Sequence, residues 1–128
     1  MPSEPKQVIV IRKDLNMRKG KMSAQAAHAS MKVILDNAEV GDDPMFSLVW
    51  LRFGMPRDGA LHQWIVTGRF KKICVSVDNE QELMEIFSKA KLAGLLCSLV
   101  VDSGLTELMV CQQRLALLSA LIIQRKLI

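Results

Sequence analysis

Lys19-Gly20-Lys21, running into Met22-Ser23-Ala24-Gln25-Ala26-Ala27-His28, sets two lysines and a glycine at the mouth of an alanine-rich helix. The first N–H groups of a helix lack internal partners and carry the positive end of its dipole, so such a mouth suits a phosphate. Lys21, Gln25 and His28 recur at i, i+4 and i+7 and share one helix face, while Ala24, Ala27, Met31 and Leu35 form an adjacent apolar stripe expected to be buried. A lone histidine on such a helix also fits a satisfied core position. Arg12, Lys13, Arg18, Lys19 and Lys21 crowd together against Asp14 alone, a patch suited to a nucleic-acid backbone. The pattern is not a nucleoside-triphosphate loop, because Leu15 stands where that motif needs its first glycine. A second polar group, Asp102-Ser103-Gly104-Leu105-Thr106-Glu107, leaves an apolar run as a tight turn. Asp102 and Thr106 there either face a ligand or satisfy the backbone of the turn.

These groups need elements to hold them. Val8 to Ile11 reads as a buried strand, followed by a loop and then a helix from about Lys21 to Asp36. Asn37 to Pro56 mixes acidic, proline and glycine residues with Phe46, Leu48, Trp50 and Phe53; segment 37–57 is expected to be an insertion, part loop and part short helix. A short helix over Asp58 to Gly68 carries Leu61, Trp64 and Ile65 on one side, and Ile73 to Val77 forms a second strand. The next helix has Asp78 as cap, Gln81 at the capping-box position, an apolar stripe of Leu83, Ile86, Phe87 and Ala90, and Gly94 as stop. Leu95 to Val101, apolar except for Ser98, reads as a strand covered on both faces that delivers Asp102 at its end. Strands alternating with helices predict an α/β fold with a helix-covered, mostly parallel sheet and ligands gathered at strand ends.

The chain has 128 residues, half of them hydrophobic, enough for one domain around one core. No apolar run approaches the roughly 20 residues of a membrane span, and the first residues do not resemble a signal sequence, so a cytoplasmic protein with no membrane partner is expected. Cys74, Cys97 and Cys111 are odd in number and widely spaced, giving neither a disulfide framework nor a metal cluster; Cys74 and Cys97 read as small core residues. With His28 and His62 as the only imidazoles, no metal is expected. The net charge is +4, but three of the 17 basic residues and none of the 13 acidic ones follow Glu107, leaving 14 against 13 before it. The significant charge is therefore the local cluster around the helix mouth.

Taken in order, Gln7 to Leu15, Lys19 to His28, Trp64 with Gly68 before Lys72-Ile73, and Asp102 to Glu107 resemble the archaeal and eukaryotic (type 2) peptidyl-tRNA hydrolases over residues 7–107. The resemblance implies a three-layer α/β/α fold around a mixed sheet of about four strands, with no metal or cofactor. It also implies hydrolysis of the ester between peptide and tRNA, recycling tRNA from stalled translation. Lys21, Asp102 and Thr106 align with the family's catalytic positions. Gln25 and His28 align with a helix face lining the same cleft, and Arg18, Lys19 and Gly20 complete the expected substrate-binding set. The expected partner is tRNA, and a homodimer is the expected assembly. The second reading is an impaired module of the same fold that binds tRNA or protein without chemistry.

After Glu107 the chain departs from the family pattern. Residues 108–128 form an atypical tail in which Met109 to Ile128 reads as an aliphatic helix. Codons for this stretch can be chosen so that the neighbouring frame spells the family's usual ending, so a frame-shifted tail is expected, to be settled by the coding DNA. Loss of a sheet strand with about four core-facing side chains would forfeit roughly 6–12 kcal/mol at ~1.5–3 each, comparable with the ~5–15 kcal/mol that stabilise a domain. Doubt about activity follows from that loss.

Overall fold

The computed structural model describes residues 4–113. Strand β1 (Lys6–Arg12) leads through a short 3₁₀ turn at Lys13–Leu15 into helix α1 (Lys19–Leu35). A hairpin of β2 (Glu39–Asp43) and β3 (Leu48–Arg52) follows, then α2 (Ala60–Val66), β4 (Lys72–Val77), α3 (Glu80–Leu92), β5 (Leu96–Asp102) and β6 (Leu105–Gln113). The main sheet has the order β4-β1-β6-β5. It is the mixed four-stranded sheet expected of an α/β protein, but it is not mostly parallel: β1 pairs parallel with β4, whereas β1–β6 and β5–β6 are antiparallel. The reason is the connection between β5 and β6, which consists of Ser103 and Gly104 alone and can only reverse the chain. Both residues have positive φ, 52° and 79°, the primed turn that matches strand twist and that Gly104 accommodates without strain.

β6 also corrects the expected aliphatic helix. Met109 to Gln113 lie in a strand inserted between β1 and β5, and Leu108, Met109, Val110 and Cys111 are fully buried. A run apolar at every position fits a helix buried all round as well as a strand covered on both faces, and periodicity cannot separate them. The strand whose loss was expected is present; the rest of the tail reading falls on residues 114–128, outside the described residues. β5 is covered on both faces as expected, by Cys97 and Leu99 in one core and Leu96 and Val100 in the other, although it is an edge strand and Val101 near its end is 58% exposed.

Alternate residues of β1 enter two cores. Val8 and Val10 pack with Leu83, Ile86 and Ala90 of α3, while Ile9 and Ile11 pack with Ala29 and Val33 of α1. The α3 stripe is the expected one, and Gly94 (φ 76°) closes that helix in the left-handed region. Its cap is one residue later than expected: the Asn79 side chain accepts from Glu82 N–H, and the Glu82 carboxylate accepts from Asp78 N–H. Asp78-x-x-Gln81 and Asn79-x-x-Glu82 both spell a capping box; Asn79 takes the cap, and Glu82 reaches back one residue beyond it, to Asp78 N–H. On α1 the buried stripe is Met22, Ala26, Ala29 and Val33, not the expected Ala24, Ala27, Met31 and Leu35, of which Met31 is 62% exposed. The helix is apolar around most of its girth, and the β-branched Val33 faces the sheet.

Where part loop and part helix was expected, segment 37–57 forms the β2–β3 hairpin around a 3₁₀ turn at Pro44–Phe46. It is stitched locally: the Trp50 ring rests on Gly41, and Arg52 lies over Trp50 at 5.1 Å and donates to Glu39 at 2.6 Å. Cys97 and Cys111, read from sequence as unpaired, stand directly opposite each other on β5 and β6 and form a disulfide. Fourteen residues of separation hide a cross-strand pair until the hairpin register is known. Among the described residues, no helix is long and apolar enough to cross a membrane.

Candidate active site

Four elements converge at one end of the sheet: the carboxyl ends of β1 and β5, the first turns of α1 and the start of β6. β5 brings Asp102 to its end, on the same side as Val100, which packs towards α1. β6 contributes through a bulge. Val100 pairs with Leu108 but Val101 pairs with Thr106, so Glu107 is the extra residue. Strict alternation would send Glu107 towards α3 with Met109, and the bulge turns it to the α1 side with Leu108.

There Glu107 meets α1. Its Oε2 lies 3.1 Å from Lys21 Nζ, and its Oε1 accepts from Gln25 Nε2 at 2.8 Å. Lys21 Nζ is also 3.7 Å from Asp102 Oδ2. The Glu107 side chain is 5% exposed, whereas those of Lys21 and Asp102 are each 48% exposed. The pair therefore faces solvent with the glutamate behind it. The hydrogen bond that Lys21 donates to Glu107 raises the ammonium above the ordinary lysine range; partial desolvation opposes this, and the charges of Glu107 and Asp102 reinforce it. Lys21 thus stays cationic at the mouth of α1.

Arg12, at the end of β1 and largely buried, fixes this end of the fold. Its guanidinium donates to both Asp14 oxygens at 2.7 and 3.1 Å and to the Thr106 carbonyl at 3.0 Å, with Glu80 of α3 at 3.6 Å. The hydrogen bond to Asp14 holds that carboxyl below its usual range and raises the guanidinium. The start of β6, where Thr106 and Glu107 sit, is thereby tied to β1.

The structure brings Lys21 and Asp102 together as expected and adds Gln25 through Glu107. Thr106 lies within β6 rather than in the turn, half-buried beside Glu107. Arg18 caps α1 without a side-chain hydrogen bond, and Arg18, Lys19 and Gly20 are exposed at its open end. His28 lies farther along the helix, lining a groove with Met31, Lys32, Leu35 and Asp36 rather than joining the Lys21–Asp102 pair. Glu107 is the residue sequence reasoning missed. The available signal was its place directly before the apolar run Leu108 to Cys111, since an acidic residue entering an interior strand has to be paired.

Comparison with known proteins bears directly on this arrangement. The family model described as Peptidyl-tRNA hydrolase PTH2 matches residues 5–118, beyond Glu107, where the resemblance was expected to end. Similar proteins named peptidyl-tRNA hydrolase include one from Methanocaldococcus jannaschii, 40% identical over 103 residues that cover 80% of this chain and 75% of that one. Those from Methanococcus maripaludis strain C6 and Aeropyrum pernix are 38% and 39% identical, each over 80% of this chain and 73% of theirs. A solved protein of unknown function, Atu0240 of Agrobacterium tumefaciens strain C58, has a TM-score of 0.54 over 98% of both chains at 12% identity, a likeness of fold alone. A family match over this much of the chain, with relatives this similar, leads to one conclusion: the chain belongs to the peptidyl-tRNA hydrolase PTH2 family.

Proposed function

We propose that this chain hydrolyses the ester joining a peptide to the terminal ribose of tRNA, releasing tRNA from stalled translation in the cytoplasm. The observation that carries this reading is the solvent-facing pair of Lys21 Nζ and Asp102 Oδ2, 3.7 Å apart at the open end of α1. An ester needs a placed water, a group to take its proton and a donor for the oxyanion. Asp102 orients the water and accepts its proton as the water oxygen attacks the ester carbonyl. Lys21 stabilises the oxyanion, and Thr106 positions the water through its hydroxyl. Collapse of the tetrahedral intermediate breaks the bond to the ribose oxygen, and the proton held by Asp102 goes to that leaving oxygen. Arg18, Lys19 and Gly20, with the free N–H groups of the first turn, receive the phosphate backbone. Gln25 and His28 flank the path of the acceptor end along α1. Lys21, Asp102 and Glu107 come from one chain, so the reaction is open to a monomer as well as to the expected homodimer, and sedimentation distinguishes the two.

Release of peptide from peptidyl-tRNA by the purified protein tests the reading. Asp102→Asn is expected to lower turnover by about 10²–10⁴-fold while leaving tRNA affinity nearly unchanged, the loss typical of a missing general base. Parental turnover in that variant refutes the assignment.

A further inference from the structure

Glu107 is a buried charged group in direct contact with Lys21 that the chemistry above leaves idle. One of its oxygens is held by Lys21 and the other by Gln25, and the side chain is 5% exposed, so the carboxylate is turned away from solvent and from an ester. A carboxylate taken this far out of water persists only where cations and donors compensate it, and β6 departs from a regular ladder to put it there. Lys21 stands between two carboxylates, and only Glu107, at 3.1 Å against 3.7 Å for Asp102, is within hydrogen-bonding distance. The lysine stem is flexible. Without the charge of Glu107, the ammonium has Asp102 left to close on, and a direct hydrogen bond there would occupy the oxygen that must take a proton from water.

We propose that Glu107 is a positioning residue that draws Lys21 back, so that Lys21 stays charged beside Asp102 without capping the carboxylate that serves as base. This rests on the reading of Lys21 and Asp102 given above. The charged and polar groups around the pair are Lys21 and Gln25 from α1, Glu107 from β6 and, behind Glu107, Arg12 from β1, whose own charge is met by Asp14 and Glu80.

Glu107→Gln removes the charge and keeps the shape. The expected result is a fall in kcat of about tenfold to hundredfold, the scale of a misplaced catalytic group, with KM for peptidyl-tRNA within about twofold. Parental kcat, or a rise in KM with kcat unchanged, overturns the proposal. Should that variant not fold, Gln25→Ala on the half-exposed helix surface carries the test: it removes the second anchor of Glu107 and is expected to lower kcat, and unchanged kcat or a rise in KM alone overturns the proposal. Asp102→Asn run alongside separates the two ideas. If it turns over like the parent, the reading of the site fails; if it is inactive while Glu107→Gln or Gln25→Ala matches the parent, only the positioning role fails.

Discussion

On the α3 side of the sheet, Val8, Val10, Val75, Val77 and Met109 pack against Leu83, Ile86 and Ala90. On the α1 side, alternation and the bulge place Gln7, Ser98 and Glu107, all buried, among Ile9, Ile11, Val100, Leu108 and Val110. Each of these three polar groups reaches α1: Gln7 exchanges hydrogen bonds with Ser30, Ser98 donates to Asp36, and Glu107 accepts from Lys21 and Gln25. Apolar contact is non-directional and tolerates small shifts of one element over another, whereas a buried hydrogen bond has a narrow range of lengths and angles. The difference teaches that α3 is held on the sheet mainly by packing, while α1, which carries the lysine proposed to stabilise the oxyanion, is also pinned in register at its start, middle and end.

The strongest way to break this comparison is to remove volume from the apolar side. Leu83→Ala, at a fully buried position, is expected to cost about 2–5 kcal/mol in denaturant unfolding while leaving turnover per folded molecule at the parental value. A fall in kcat matching the loss of stability would show that the two faces are not separable.

The apolar side is also the side that sequence read well. Leu83, Ile86, Phe87 and Ala90 repeat at one helical face and nothing else on α3 competes with them. α1 offered two apolar stripes with little to choose between them, and the exposed one was taken. β6 was missed because Leu108 to Cys111 has no polar position to set a period. The hairpin was missed for a related reason: Leu48-Val49-Trp50-Leu51 shows no alternation, since every residue of β3 is exposed. Lys21 and Asp102 were legible through the family resemblance, and the structure brings them together. For Glu107 the apolar run behind it signals only the need for a partner; no local pattern announces the bulge that turns the carboxylate towards α1.

The polar side can be probed at the far end from the chemistry. Gln7 is fully buried, donating to the Ser30 carbonyl at 3.1 Å and accepting from its hydroxyl at 2.6 Å. Gln7→Leu strands the Ser30 hydroxyl and Ser30→Ala strands the Gln7 carbonyl oxygen, each at about 1–3 kcal/mol. The double variant loses both polar partners together and should fall short of the sum of the singles by roughly 0.5–3 kcal/mol in a thermodynamic cycle. Strict additivity would mean that the pair does not fasten α1 to β1.

The smallest expected effect sharpens the comparison at the last turn of α1. Burial alone would raise the Asp36 carboxyl, but hydrogen bonds from Lys32 and Ser98, with the charges of Lys32 and His28, outweigh it and leave the group below the usual aspartate range. A carboxyl lowered on folding contributes stability that is present above its unfolded value and lost as pH falls through its folded one. The contribution should therefore be full near neutrality and fade at about pH 4 and below. Asp36 and Lys32 are 41% and 33% exposed, so water and salt screen most of it. Urea midpoints of the parent and of Asp36→Asn should be separated by a small gap at neutral pH that closes on acidification. A gap that stays constant with pH would mean that Ser98 holds the end of α1 through a neutral hydrogen bond, so that charge fixes this helix on the sheet at its start, where Lys21 meets Glu107 and Asp102.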